Sequence, residues 1–235
     1  MIKIENLTKR YGKLLANDSI CMEVKAGELA VLLGPNGAGK STMIKSICGL
    51  LRFEGSITID GHENHSKEAK SLLGYVPEMP ALYPMLTVYE HLQFIAKAYD
   101  LNDWKERAEG LLQRFDLDDK RNKLGKELSK GMQQKVSICC AILPHPKAVI
   151  FDEPLVGLDP HAIRELKNLI SELKNDGCAM IISTHMIDSV AENWDITSIM
   201  QGGKIVKVCK FTELDDRRDL EKLYFAITEG EESMA

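Results

Sequence analysis

Two short stretches of the sequence carry residues whose types and spacing could do chemistry. In the first, LLGPNGAGKSTM at residues 32–43, an apolar run leads into Gly34 and Gly39, followed by Lys40 and Ser41. This order fits the pattern G-x-x-x-x-G-K-[ST], in which glycines let backbone N–H groups close around phosphate oxygens. The start of the following helix adds a positive dipole, the lysine neutralises charge, and the hydroxyl can bind magnesium. We therefore predict a phosphate-binding loop, and the context disfavours the alternative of a plain glycine-rich turn.

The second stretch, KAVIFDEP, is predicted to place two carboxylates beside that loop. Its four apolar residues at 148–151 form a buried strand, and Asp152 emerges at the carboxyl end, where ligands bind to parallel sheets. Glu153 points the other way if the strand pleat continues, so the two side chains need different roles. We predict that Asp152 holds magnesium through water and that Glu153 is the general base for the water that attacks the γ-phosphate. If KAVIFDEP were the sole motif, we would interpret the two carboxylates as a solvated pair at a strand end, but the phosphate loop disfavours that interpretation.

The elements that must position these residues change in character along the chain. We predict strands at IKIENL, SICMEV and ELAVLLG, a helix over residues 41–50, and a hairpin-like return at EGSITIDG. Residues 87–143 have helical periodicity. After Pro146, strands at AVIF, AMIIST, DITSIM and GKIVKV alternate with helices, one at residues 160–175 and another between AMIIST and DITSIM. The expected fold is α/β: a P-loop NTPase core with a mostly parallel sheet, an N-terminal antiparallel β subdomain and an inserted α-helical subdomain.

Composition limits the class of protein. The 235 residues are 44% hydrophobic and 28% charged, which allows a sizeable core. The net charge of −5 argues against a general nucleic-acid surface, although it leaves room for a local basic patch. No run approaches the roughly 18 apolar residues of a membrane span, and the N-terminus lacks the apolar core of a signal peptide, so we expect a cytosolic chain. The six cysteines show no C-x-x-C spacing and are expected to be free thiols.

Three further stretches extend the pattern: LGKELSKGMQQKV, VGLDP and ISTHM. Together with GPNGAGKST and IFDEP, in this order and with a helical segment between the halves, they resemble the ATP-binding cassette of ABC transporters over nearly the whole chain. The resemblance implies ATP and Mg²⁺ as cofactors and a homodimer of cassettes packed head to tail. Each ATP would then lie between the Lys40 loop of one chain and Ser129 and Gly131 of the other, with Asp159 linking the two sites.

The resemblance also assigns roles within one chain. Tyr11 stands where the family stacks an aromatic ring on adenine, although a tyrosine in a strand is by itself usually a packing residue. His185 matches the histidine that contacts the γ-phosphate, so the predicted catalytic residues are Glu153, His185 and Lys40. The expected ATP-binding residues of the loop are Gly34, Asn36, Gly37, Ala38, Gly39, Lys40, Ser41 and Thr42.

The hinge and the signature depart from the family pattern. Glu78, in GYVPEMP, replaces a glutamine that contacts magnesium or the attacking water, and its carboxylate is expected to bind the metal together with Ser41 and Asp152. In the signature LSKGM, Lys130 replaces a glycine and Met132 replaces a glutamine, while Ser129 and Gly131 are retained. Lys130 either adds positive charge near the partner's nucleotide or points to solvent, and we favour solvent. These two features are similar to those of cassettes from bacterial drug, antibiotic and peptide exporters.

A cassette of this kind needs a membrane partner, and the residues after Glu78 are the predicted docking site. Aromatic and methionine side chains are favoured in interface cores, although any one of them could instead fill the core of the helical subdomain. The predicted docking residues are Met79, Leu82, Tyr83 and Met85. The expected partner is an integral membrane permease, which would hold the chain on the inner face of the cell membrane; no nucleic acid and no covalent lipid anchor are expected.

We predict one ABC ATPase domain with three parts. Residues 1–78 and 147–220 form the catalytic core with the β subdomain, residues 79–146 form the helical signature subdomain, and residues 221–235 form a helix end and an acidic tail. The predicted function is ATP binding and hydrolysis that drives a separate transmembrane subunit, with export of a drug, antibiotic or peptide. Two alternatives remain open at this point: an ATPase of this type that acts on ribosomes or nucleic acid, and a weakly hydrolysing nucleotide switch.

Overall fold

The computed structural model describes residues 1–185, 194–213 and 217–229. The helix predicted between AMIIST and DITSIM and the acidic tail beyond residue 229 lie outside these ranges. The strands are β1 (Ile2–Tyr11), β2 (Leu14–Val24), β3 (Leu29–Leu33), β4 (Glu54–Ile59), β5 (His62–Glu63), β6 (Leu73–Val76), β7 (Ala148–Asp152), β8 (Ala179–Thr184), β9 (Ile196–Gln201) and β10 (Lys204–Lys210). The α-helices are α1 (Lys40–Ile47), α2 (Lys67–Leu72), α3 (Val88–Ala98), α4 (Trp104–Arg114), α5 (Lys130–Ile142), α6 (Pro160–Asn175) and α7 (Arg217–Glu229).

The strands form two sheets, and both agree with the predicted fold class. A six-stranded sheet has the order β10-β9-β3-β8-β7-β6, in which β10 is antiparallel to β9 and the other neighbours are parallel. A four-stranded antiparallel sheet, in the order β2-β1-β4-β5, comes from the N-terminal quarter of the chain. Strands β3 and β7 are buried at every residue, as expected for uninterrupted apolar runs in a sheet covered on both faces.

The central sheet separates two hydrophobic cores. Successive side chains of a strand point to opposite faces, so Leu29 and Val31 of β3 enter one core while Ala30 and Leu32 enter the other. The first core continues into α3, α4, α5 and α6, and the second lies against α1 and the antiparallel sheet. This three-layer arrangement brings the ends of β3, β7 and β8 together at one edge, which is where the sequence motifs lie.

The chain between β6 and β7 contains α3, α4 and α5. Helix α3 begins after Thr87, whose side chain forms a capping box with Glu90. The helix buries Val88, Leu92 and Ala96, which recur at helical spacing. The C-terminal helix α7 packs on the sheet, since the ring of Tyr224 joins a small core with residues of β3 and β9.

All six cysteines lie within the described part of the chain and are free thiols. Within residues 1–185, 194–213 and 217–229, no helix is long and apolar enough to span a bilayer.

Candidate functional site

The phosphate loop joins β3 to α1 and needs glycine at two positions for steric reasons. A Cβ atom on Gly34 would lie 2.5 Å from the carbonyl oxygen of Met200. Gly39 has a left-handed φ of 104°, and a Cβ there would lie 2.5 Å from the carbonyl oxygen of Ala16. The loop is therefore packed from behind by β9 and by β2, which are distant in sequence.

Lys40, the first residue of α1, is buried and points back across this loop. Its ammonium donates hydrogen bonds to the carbonyl oxygens of Gly34, at 2.5 Å, and Pro35, at 3.2 Å. Burial lowers the pKa of the Lys40 ammonium, while the nearby carboxylates of Glu153 and Asp152 act in the opposite direction. The positive charge is thus available inside the loop, where incoming phosphate oxygens would exchange with the two carbonyl groups.

Asp152 closes β7 and is almost fully buried next to the loop. Its register partner on β8 is Ser183, whose hydroxyl donates a 2.5 Å hydrogen bond to Asp152 Oδ1. Burial raises the pKa of the Asp152 carboxyl, and the neighbouring charge of Glu78 adds to the increase, whereas hydrogen bonds from Ser183 and Ser41 lower it. The hydroxyl of Ser41 and these two carboxylates are the oxygen donors that Mg²⁺ prefers, so the residues present fit the predicted metal.

Glu153 does not continue the strand pleat, so the condition for its pointing opposite to Asp152 along a strand is not met. Its φ of 47° lies in the left-handed region, because β7 ends at Asp152 and the chain turns sharply. Its backbone N–H is shared between the carbonyl and the hydroxyl oxygen of Ser183, each at 3.2 Å. The turn directs the mostly buried carboxylate toward His185, whose Nδ1 lies 2.8 Å from Glu153 Oε1.

These elements enclose a cleft of about 560 Å³, called the phosphate-loop cleft below. The predicted site residues that line it are Tyr11, Asn36, Gly37, Ala38, Gly39, Lys40, Ser41, Thr42, Glu78, Glu153 and His185. Gly34 and Asp152 lie behind this lining. Six further residues line the cleft and were not predicted as site residues: Leu14, Leu15, Ala16, Pro35, Gly202 and Gly203. The glycine pair is recognisable as a turn between β9 and β10, but its position beside the phosphate loop depends on sheet pairing.

Tyr11 lies at the rim of the phosphate-loop cleft. Its side chain is about half exposed, and the ammonium of Lys9 lies 5.0 Å from the centre of the ring. A buried packing residue would not have this exposure. The ring therefore presents a surface on which a flat base could stack.

The signature segment, residues 128–132, lies at the start of α5. Ser129 caps this helix by accepting a hydrogen bond from the N–H of Met132 at 3.3 Å. A Cβ on Gly131 would lie 2.4 Å from the carbonyl oxygen of Gly157, so the segment packs tightly on the VGLDP stretch. The stem of Lys130 also runs 3.9 Å from the position of a Cβ on Gly157, while the residue as a whole is exposed.

An ion pair strengthens the contact between α5 and the VGLDP stretch. The ammonium of Lys135 lies 2.7 Å from Asp159 Oδ2, and Asp159 Oδ1 caps α6 by accepting from the N–H of Ala162. Lys135 and then the Ala162 N–H lower the pKa of the Asp159 carboxyl. None of Ser129, Gly131 and Asp159 is among the residues that line the chain's own phosphate-loop cleft.

The predicted docking residues lie in residues 79–86, called the docking loop below. Met79, Tyr83 and Met85 expose half or more of their surface, whereas Leu82 packs partly against the core. The loop borders a mainly apolar groove of about 580 Å³ between the sheet edge and α3. Exposed side chains of this size beside an apolar groove are typical of a protein interface.

His91 anchors the docking loop. This histidine is a buried residue of α3. Its Nε2 accepts a 2.9 Å hydrogen bond from the N–H of Tyr83, while its Nδ1 lies 2.7 Å from the carbonyl oxygen of Thr87. Both nitrogens are satisfied by a neutral ring that carries its proton on Nδ1. The carbonyl of Tyr83 also packs closely on Gly125, just before the signature segment.

Comparisons with known proteins are consistent across sequence and structure. The family model described as "ABC transporter" matches residues 17–156. The SkfA peptide export ATP-binding protein SkfE of Bacillus subtilis (strain 168) is 32% identical over 94% of this chain and 94% of its own length. The lantibiotic transport ATP-binding protein SrtF of Streptococcus pyogenes is 33% identical over 95% of this chain and 96% of its own length.

Solved structures give the same result. A structure described as the ATP binding subunit of an ABC transporter has a TM-score of 0.87 and 35% identity, with coverage of 95% of this chain and 94% of that one. The ATP-binding cassette MJ0796, as a post-hydrolysis dimer bound to ADP and Pi, has a TM-score of 0.78 and 28% identity, with coverage of 89% and 98%. The chain therefore belongs to the ABC transporter family, in which it is an ATP-binding subunit.

Proposed function

We propose that this chain hydrolyses ATP with Glu153 as the general base. The observation that carries the proposal is the Glu153–His185 pair, with 2.8 Å between Oε1 and Nδ1, facing a cleft that also holds the phosphate loop. A base must lie within hydrogen-bond reach of the proton it removes, and its partner must hold it in position. Glu153 would accept a proton from the attacking water, while His185 orients the carboxylate and reaches the γ-phosphate.

The remaining residues of the cleft bind and orient the nucleotide in this proposal. Tyr11 stacks on the adenine, and Lys40 together with the backbone N–H groups of residues 36–42 holds the phosphates. Ser41, Asp152 and Glu78 supply the oxygen ligands for Mg²⁺. When bound, Mg²⁺ neutralises the charge that develops on the phosphate oxygens.

We further propose that two copies of the chain pack head to tail and share their nucleotides. Ser129, Gly131 and Asp159 lie outside the chain's own cleft, so a nucleotide contact from these residues requires a second copy. The N–H groups of Lys130 and Gly131, in the first turn of α5, have no partner within the helix and would bind the phosphates of the partner's ATP. A structural neighbour of this chain is described as a dimeric cassette, which supports the proposal.

The domain would have three parts: the catalytic core at residues 1–78 and 147–220, the helical signature subdomain at residues 79–146, and the C-terminal end at residues 221–235. The helical subdomain would carry the docking surface for a transmembrane subunit. The exposed Met79, Tyr83 and Met85 beside an apolar groove support docking there, and Leu82 would line its base. Relatives are named as peptide-export, lantibiotic-transport and linearmycin-resistance ATP-binding proteins, which supports export of a peptide or antibiotic. Such docking would hold the chain at the inner face of the membrane.

The test of hydrolysis is a purified Glu153→Gln variant. We expect turnover to fall by at least about 100-fold, because a general base typically contributes a factor of about 100 to 10,000, while ATP still binds. Light scattering in Mg-ATP should show a stable dimer for this variant and a monomer without nucleotide. Glu63→Gln is the matched control, since Glu63 is an exposed carboxylate on β5. Unchanged turnover in Glu153→Gln would exclude Glu153 as the base.

A further inference from the structure

Asn17 is a fully buried polar residue of β2, directly behind the phosphate loop. Its Nδ2 donates a 3.1 Å hydrogen bond to the carbonyl oxygen of Gly39. The same carbonyl accepts the 2.9 Å helical bond from the N–H of Met43. Within the described part of the chain, Asn17 Oδ1 is buried and has no hydrogen-bond partner. Asn17 therefore satisfies one of its polar atoms at the loop and leaves the other unsatisfied.

The orientation of the amide group follows from its surroundings. If the oxygen and nitrogen of the Asn17 amide were exchanged, two acceptors would face each other at Gly39. The donor therefore points to the loop, and the buried oxygen has no donor. A buried acceptor without a donor destabilises the folded state, whereas an apolar side chain of similar shape at the same position avoids that loss. Folding stability alone does not explain an asparagine at this position.

The hydrogen bond from Asn17 to the Gly39 carbonyl also sets the direction of the Lys40 N–H group. The peptide between Gly39 and Lys40 is trans, since the described residues contain no cis peptide bond, and in a trans peptide the C=O and N–H groups point in opposite directions. The Gly39 carbonyl points to Asn17, so the Lys40 N–H points away from Asn17. Gly39 and Lys40 both line the phosphate-loop cleft. Lys40 is the first residue of α1, where backbone N–H groups have no partner within the helix.

Backbone contacts hold the rest of the loop from the same side. The N–H of Gly203 donates to the carbonyl of Ala38 at 3.0 Å, and the N–H of Asp18 donates to the carbonyl of Gly203 at 2.9 Å. These bonds hold the residue before Gly39, whereas Asn17 holds Gly39 itself. We propose that Asn17 is a positioning residue of the nucleotide site, which orients the Gly39–Lys40 peptide so that the Lys40 N–H meets a phosphate oxygen.

The experiment compares folding and binding in the same variants. In Asn17→Leu, both polar atoms are replaced by methyl groups and the branched shape of the side chain is kept, so we expect the Tm of the nucleotide-free protein to stay the same or rise. We expect the Kd for ATP to increase about threefold to tenfold, which is the range for one lost hydrogen bond, and KM to change more than kcat. Asn17→Asp keeps the shape but removes the donor, so ATP binding and Tm should both fall. Asn17→Val serves the same purpose if the leucine variant does not fold.

Two controls separate this inference from the proposed function on which it rests. Ile20→Val, a buried change farther along β2, should lower the Tm and leave ATP affinity unchanged. Lys40→Ala should lose ATP binding, and normal binding by that variant would refute the nucleotide site itself. If Lys40→Ala fails to bind while Asn17→Leu binds like the wild type, the role of Asn17 is refuted. Weaker ATP binding by Asn17→Leu together with a lower Tm would also refute it, because a loosened fold would explain both.

Discussion

The phosphate-loop cleft and the docking loop are built in opposite ways. The cleft is made of closely packed backbone, with glycines at contact points and buried charged groups such as Lys40 and Asp152. The docking loop presents exposed Met79, Tyr83 and Met85 and is held by a hydrogen bond to one buried histidine. The cleft is therefore shaped before any ligand arrives, whereas the docking loop leaves apolar surface that only a partner would cover. A substitution in the cleft should therefore weaken ATP binding and leave the association with a membrane partner unchanged, and a substitution in the docking loop should do the reverse.

The largest expected effect is the loss of ATP binding in Gly39→Ala. The new methyl group would meet the carbonyl of Ala16 at 2.5 Å, and a left-handed φ destabilises a residue with a side chain by about 1–2 kcal/mol. Isothermal titration should detect no ATP binding, while capture of the membrane subunit stays normal. Gly37→Ala is the comparison, because Gly37 has a positive φ but no atom of the described residues within 4 Å of its missing Cβ, so its loss should be smaller. Equal losses would show that packing against β2 is unimportant.

Tyr83→Asp should give the reverse result and disrupt the complex. Tyrosine is a frequent source of large interface energies, and a carboxylate in an apolar groove has no partner, so we expect association to weaken by at least about 100-fold. Co-purification from detergent-solubilised membranes measures the complex, and titration of the purified chain should show normal ATP binding. Phe225→Asp is the control, since Phe225 is an exposed aromatic residue on α7. Recovery of the intact complex with Tyr83→Asp would remove the docking assignment.

Substitution of His91 should have an intermediate effect that sharpens the comparison. His91→Leu deprives the N–H of Tyr83 of its acceptor, and we expect about tenfold weaker association because an unpaired buried donor destabilises by about 1–3 kcal/mol. His91→Gln places an acceptor at similar reach and should restore most of the affinity. Both should bind ATP normally. A glutamine variant as weak as the leucine variant would mean that ring packing, and not the hydrogen bond, holds the loop.

The smallest expected effect is a pH-dependent loss of stability in Asp159→Asn. Lys135 and the N–H of Ala162 lower the pKa of Asp159 in the folded protein, so the stabilisation is present above the ordinary aspartate pKa of about 3.9 and is lost as pH falls through the lowered value. The Asp159 side chain is half exposed, so solvent screening keeps the difference small. Thermal melts should show a lower Tm for the variant at pH 7 and a narrowing difference toward pH 3. A Tm difference that does not change with pH would show that packing, and not the charge of Asp159, causes the effect.

Much of the cleft could be predicted from sequence because its chemistry is local. The loop at 34–42 is a continuous segment with fixed glycine spacing, and Asp152 lies at the end of an apolar strand whose burial is visible in the sequence. The parallel sheet could be predicted because strands alternate with helices along the sequence. These features depend on periodicity and short motifs, and the fold and family are as predicted.

The residues that sequence reasoning missed act across long separations. Asn17 reaches Gly39 only because the antiparallel sheet lies behind the loop, and Ser183 reaches Asp152 only because β8 pairs with β7 in one particular register. The sharp turn at Glu153 was missed because alternation along a strand does not reveal where that strand ends. The role of His91 was missed because Tyr83 becomes adjacent to it only when the docking loop folds onto α3, whereas its other partner, Thr87, is one helical turn away.

The packing of Gly131 on Gly157 limits what a mutational survey of this chain can reveal. With the carbonyl of Gly157 only 2.4 Å from the position of a Cβ, every other amino acid at 131 would push α5 and the VGLDP stretch apart, with or without nucleotide. Intolerance at this position therefore reports folding. Lys130 is next in sequence, and its exposed side chain has room to change. If contact with a partner's nucleotide is selected, a survey should find that position 130 prefers a charged residue, although folding does not require one there.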